Sequence, residues 1–156
     1  MTKQADYGIV LLTRMAREEG RRFAAPELAE ETHLPLPTVS KILKILSRSG
    51  LLHSTRGVKG GYSLARAAVG INVADMIEAL EGPIAFTECI EDSPGSCSQE
   101  ASCTIRGNWQ RINEAVRGAL ERITLSDLTA PISPRLVQIA SSLARSNSSD
   151  TAQTSR

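Results

Sequence analysis

Three cysteines, Cys89, Cys97 and Cys103, fall within fifteen residues, and the chain has no others. A thiolate is a nucleophile, a redox centre and a soft metal ligand. In a cytosolic chain such clustering points to metal or redox chemistry rather than to a structural disulfide. The spacing is C-x7-C-x5-C. Zinc modules draw on C-x2–4-C pairs fixed on a tight knuckle, and no such pair is present. Longer intervals suit a larger object, and iron–sulfur clusters are held chiefly by Cys thiolates. A cluster would need a fourth ligand from elsewhere, a His, Asp or Glu. A thiol switch is the alternative, in which two cysteines form a regulatory disulfide. Three cysteines without a common role is the third.

The elements that must position this segment follow from composition and periodicity. The chain has 156 residues, 41% apolar and only 3% aromatic, so its core must be built mostly of Leu, Ile, Val and Ala. That size is one domain, or a small domain with an appended element. The start "MTKQADYGIV" lacks the basic-then-apolar layout of a signal peptide, and no apolar run approaches the roughly eighteen residues of a membrane span. The expected protein is soluble and cytoplasmic.

"ADYGIVLLTRMARE" carries Ala5, Ile9, Leu12 and Ala16 on one helical face. "APELAEET" predicts a short helix with Pro26 in its first turn. "HLPLP" then connects to "TVSKILKILSRSG", whose Val39, Ile42, Leu43 and Leu46 form an inward stripe and whose Gly50 suits a helix C-terminus. "LLHST" and "GYSLA" read as strands around the glycine-rich turn "RGVKG". Helix, short helix, turn, helix and β-hairpin is the order of a winged helix-turn-helix, in a chain that is mainly α. "INVADMIEALEG" predicts a further helix, capped by Asn72 and ended near Gly82. Pro94 and Gly95 make the cysteine stretch a loop. From Thr104 a long amphipathic helix places Ile105, Trp109, Ile112, Val116, Leu120 and Ile123 along a narrow seam. Such a seam suits a homodimer, with folding back onto its own domain as the alternative. The reading therefore has a DNA-binding region over 1–66, a connecting helix and cysteine loop over 67–103, a dimerisation helix over 104–128 and a weakly structured to disordered tail over 129–156.

Residues 1–66 carry eleven Lys/Arg against six Asp/Glu, a net of +5, and residues 67–156 carry seven against eleven, a net of −4. A basic amino-terminal half suits a polyanion partner. The second helix of a helix-turn-helix lies in the major groove and presents its outward side chains there. Here these are Thr38, Ser40, Lys41, Lys44 and Arg48, while the hairpin tip adds Arg56 and Lys59. Hydroxyls bond bases or phosphates, and lysines add sequence-independent attraction. A solvated helix face and a turn rich in glycine for geometry alone is the bland reading; the two basic elements together, in this order, favour double-stranded DNA. "GVKGGY" lacks the strand–P-loop–helix context of a nucleotide site. No nucleophile–base set converges, so neither an enzyme nor a small-molecule substrate is expected.

The helix-turn-helix with "RGVKGGYSL", the "INVADMIEALEG" helix, the three-cysteine loop and "ITLSDL" closing the long helix together resemble the iron–sulfur winged-helix regulators typified by IscR and NsrR. The resemblance covers about residues 1–130, and the variant most similar is the regulator of the SUF iron–sulfur assembly operon. It implies Cys89, Cys97 and Cys103 as cluster ligands, a homodimer built on the long helix, and an operator-binding repressor. Two departures stand out. The first cysteine interval is two residues longer than usual, and Arg106 occupies the position of an IscR-type histidine ligand. NsrR-like members take an aspartate from the first helix of the opposite subunit, and the matching residue is Asp6. An acid in a helix's first turn is also favoured by the helix dipole without any metal. A four-iron four-sulfur cluster is favoured by this ligand set, with a two-iron cluster as the alternative. His33 and His53 fit surface or phosphate-facing roles, or a Cys3His site across a dimer. A nitric-oxide-sensing repressor of the same fold and a cluster-free thiol repressor are the other functions compatible with these residues.

Overall fold

The computed structural model describes residues 2–57, 60–85 and 105–130. Helix α1 (Lys3–Ala16) starts where the Thr2 hydroxyl accepts the Ala5 N–H. Its buried face is Ala5, Gly8, Leu11, Leu12, Met15 and Ala16, wider than the expected stripe, with Ile9 only half-buried. Helix α2 (Ala25–Thr32) carries Pro26 in its first turn and ends at His33, whose φ of 56° is left-handed. Helix α3 (Leu36–Arg48) begins two residues before Thr38. Pro37 lies in its first turn, where a missing N–H costs nothing, so the connection ends at Pro35. Beyond α3, Gly50 takes φ 80°, and the Leu51 N–H closes back on the Leu46 carbonyl at 3.0 Å. This is the left-handed glycine stop expected there.

Strands β1 (Leu52–Thr55) and β2 (Gly61–Leu64) pair antiparallel in the register Leu52↔Leu64, His53↔Ser63, Ser54↔Tyr62, Thr55↔Gly61. Phe23, in the α1–α2 connection, adds a bridge to Tyr62 through two 2.9 Å backbone hydrogen bonds. The hairpin is thereby docked on the helices. A 3-10 turn (Ala68–Gly70) leads to α4 (Val73–Glu81), capped by the Asn72 side chain accepting the Asp75 N–H at 2.8 Å. Among the described residues, Phe23 is the aromatic member of a buried core otherwise built from Leu, Ile, Val, Met and Ala, including Leu11, Leu12, Ile42, Leu46 and Met76.

Helix α5 (Arg106–Glu121) is shorter than the single long helix expected through residue 128. Thr124 interrupts it. Its hydroxyl accepts the Asp127 N–H while the Asp127 carboxylate accepts the Thr124 N–H, a reciprocal cap that starts α6 (Leu125–Thr129). Leu125 is buried, and its N–H bonds the Ile71 carbonyl at 2.7 Å, so the chain turns back onto the core. The apolar seam divides accordingly. Leu120 and Ile123 pack on the core cluster, whereas Ile105 and Ile112 remain 51% and 46% exposed. The protein is thus mainly helical with a two-stranded wing. Among the described residues no helix is long and apolar enough to cross a membrane.

Candidate DNA-binding surface and cluster ligands

The inward residues of α3, Val39, Ile42, Leu43 and Leu46, are fully buried. That burial turns Lys41, Lys44 and Arg48 outward into solvent, with Thr38 and Ser40 half-buried on the same helix. Arg56, at the end of β1, is exposed beside the wing turn. None of these four cations forms an ion pair with a described residue. The contrast lies at the far end of α1. There Arg14 bonds Glu18 and Glu31 at 2.7 and 2.8 Å, Arg21 bonds Glu18 and Glu27, and both guanidinium groups stack over Phe23. These hydrogen-bonded pairs raise the Arg14 and Arg21 pKa values and lower that of Glu18. Arg14 and Arg21 are therefore compensated, whereas Lys41, Lys44 and Arg48 of α3 and Arg56 beside the wing have no ion-pair partner among the described residues.

The wing turn depends on its glycines. A Cβ on Gly60 would lie 2.4 Å from the Thr55 carbonyl oxygen and 2.8 Å from that of Gly57. On Gly61 it would meet the Phe23 carbonyl oxygen at 2.7 Å. Backbone cannot yield as a side-chain end can, so both positions exclude a side chain. Lys59, the other basic residue expected at the tip, lies outside the described residues.

Asp6 stands exposed in the first turn of α1, and its carboxylate takes no side-chain hydrogen bond or ion pair among the described residues. That turn is fastened to the end of α4. The Thr2 N–H donates to the Glu81 carboxylate and the Gln4 amide donates to the Leu80 carbonyl at 3.0 Å. Gly8 permits the approach: a Cβ there would fall 2.4 Å from Leu80 Cδ1. Glu81 is the last residue of α4, so the element bearing Asp6 is bonded to the root of the segment that leads to the cysteines. Cys89, Cys97 and Cys103 lie outside the described residues, as do the side chain of Arg106 and the segment 131–156 that includes most of the expected tail. Among the described residues no three His, Cys, Asp or Glu side chains converge on a metal-sized site. His33 and His53 are both exposed, on the helix-turn-helix turn and on β1.

The sequence pattern of the Rrf2 family, described as an iron-dependent transcriptional regulator, matches residues 1–131. The chain belongs to the Rrf2 family. It is 31% identical over 129 residues to the protein rrf2 of Nitratidesulfovibrio vulgaris, covering 82% of this chain and 85% of that one. It is 29% identical over 140 residues to the transcriptional repressor NsrR of Streptomyces coelicolor, covering 88% and 93%. Among solved structures, CymR, the global cysteine regulator of Bacillus subtilis, superposes with a TM-score of 0.64 at 28% identity, over 83% of this chain and 95% of CymR. Rrf2 membership makes this chain a DNA-binding transcriptional regulator and not an enzyme. Sequence reasoning missed the Phe23–Tyr62 bridge that docks the wing and the fastening of α1 to α4. The first has no local signal, because it joins residues from separate elements. The second was foreshadowed only by Gly8 within an otherwise apolar helical face.

Proposed function

We propose that this Rrf2 protein is a cytoplasmic, homodimeric repressor whose affinity for double-stranded operator DNA is set by an iron–sulfur cluster. The observation that carries the DNA surface is the uncompensated charge of Lys41, Lys44, Arg48 and Arg56. Cations free of intramolecular partners neutralise phosphates, whereas paired ones must first break a bond. Thr38 and Ser40 supply the hydroxyls for base or phosphate contacts, and Lys59 completes the wing. The exposed Ile105 and Ile112 supply the α5 face for the second subunit, with Trp109 and Val116 half-buried on the same helix.

Cys89, Cys97 and Cys103 would hold the cluster with Asp6 of the opposite subunit, and the free carboxylate of Asp6 fits that role. When bound, the cluster supplies oxidant- and iron-dependent ligand exchange. The residues of the chain supply the coupling. A carboxylate drawn across the dimer fixes α1 of one subunit against the cysteine segment of the other. Through Thr2 and Gln4 on Glu81 and Leu80, that constraint reaches the helices that carry α3. Its release changes the separation of the two α3 helices, which must match half-sites about 34 Å apart, one DNA turn, or a multiple of it. Control of the cell's own SUF cluster-assembly genes is the regulatory role that the resemblance implies.

Selection of bound duplexes from a randomised pool tests this function. It should return a two-fold symmetric sequence with half-sites at that spacing. A pool without symmetric enrichment, from both the iron-loaded and the iron-free protein, would contradict it. A second reading, a thiol regulator without iron, draws on the three clustered cysteines and on the likeness to CymR. Disulfide formation without iron would favour it. A nitric-oxide sensor of the same fold would show a spectral response of the cluster to that gas.

A further inference from the structure

Beside the outward face of α3 runs a groove of about 320 Å³ that is lined by Lys3, Gln4 and Tyr7 of α1 and by Pro37, Thr38, Lys41 and Ile42 of α3. Lys3 and Tyr7 are four residues apart and share a helix face. Lys41 stands opposite, one turn beyond Pro37. Three polar ends here have no protein partner: the ammonium groups of Lys3 and Lys41 have no ion pair, and the Tyr7 hydroxyl has no hydrogen bond, among the described residues. The floor between them is apolar, formed by the Tyr7 ring, Pro37 and Ile42. The neighbouring acid, Asp6, lines none of it.

Cations at the rim and an apolar floor match the chemistry of a sugar–phosphate backbone, in which charged phosphates alternate with less polar deoxyribose. We infer that Lys3 and Tyr7 extend the DNA-binding surface onto α1, seating one strand's backbone in this groove beside the major-groove contacts of α3. The inference rests on the DNA-binding role proposed above. Lys3 holds a phosphate on one side of the groove and Lys41 holds another on the other side. The Tyr7 hydroxyl donates a hydrogen bond to a phosphate oxygen while its ring packs against the intervening sugar. Such contacts fix register on the duplex and carry no sequence information themselves. The fastening of Thr2 and Gln4 to the end of α4 holds the α1 side of the groove in place before DNA arrives.

The test is fluorescence anisotropy of a labelled, mixed-sequence duplex about three helical turns long, titrated with the full chain across a salt series. Removing one phosphate contact lowers the slope of log affinity against log salt by about 0.9 per subunit. Lys3→Gln should show that loss and Lys3→Arg should restore the original slope. Tyr7→Phe should weaken binding at every salt concentration with the slope retained. Arg17→Gln removes an exposed charge at the opposite end of α1 and should leave the slope unchanged. A Lys3→Gln slope equal to that of the unaltered protein overturns this inference while leaving the DNA-binding role intact. An unaltered protein that binds no duplex, with or without iron, overturns both.

Discussion

At the scale of single residues, Asp6 separates two physical accounts. An acid in a helix's first turn contributes about 0.3–1 kcal/mol through the dipole, and nothing more is needed to explain it. Ligation demands a free carboxylate, and Asp6 has no side-chain partner among the described residues. Asp6→Asn should therefore lower the stability of the iron-free protein by no more than about 1 kcal/mol, yet sharply reduce the visible absorption of the reconstituted protein. Thermal melts and spectra of the same samples check both halves, and undiminished absorption would assign Asp6 to the dipole alone. Glu81 gives a second prediction. The Thr2 backbone N–H and then the Thr2 side chain hold its carboxyl below the usual glutamate range. A carboxyl whose folded pKa is depressed stabilises the fold fully above its unfolded pKa, near 4.5. That contribution is lost as pH falls through the folded value. Hydrogen exchange at the first turn of α1 should accordingly quicken as pH drops through the window below 4.5, after correction for the intrinsic rate. Glu81→Ala should abolish that pH dependence.

At the scale of elements, the wing shows how much of the fold was legible and why the rest was not. Two strands around "RGVKG" were readable because a tight turn demands glycine, and the structure adds the reason at Gly60, whose absent Cβ leaves room for the Thr55 and Gly57 carbonyls. Gly60→Ala should deform the turn at a cost of about 1–3 kcal/mol. It should weaken DNA binding while leaving the helical circular dichroism unchanged; unaltered affinity would remove the wing from the DNA surface. The helices were equally readable where local chemistry decides their ends, as at Asn72 for α4 and Gly50 beyond α3. The break between α5 and α6 was not, because the apolar seam runs on through Ile123 and hides the reciprocal Thr124–Asp127 cap. Of the candidate site, the outward face of α3 followed directly from its buried stripe. The groove against α1 did not, since only tertiary packing brings Lys3 beside Lys41.

At the scale of the whole molecule, the proposed function requires a second copy. Ile105 and Ile112 are large apolar side chains left about half exposed, while the lower part of the same helix packs on the core. Ile112→Glu should leave the monomer folded, because that side chain is not among those packed on the core of the described residues, and should shift the protein from dimer to monomer in sedimentation. An unchanged dimer would place the interface elsewhere. In the proposed dimer the odd number of cysteines would gain a meaning: three thiolates from one subunit and one carboxylate from the other would complete a four-ligand set. The measurement that tests this most directly is the iron and acid-labile sulfide content of the anaerobically purified protein beside its Cys97→Ala variant. The expected result is a brown protein with matched iron and sulfide, and a variant that has lost both. An iron-free protein that stays colourless after reconstitution, or a Cys97→Ala variant with undiminished iron, would contradict it.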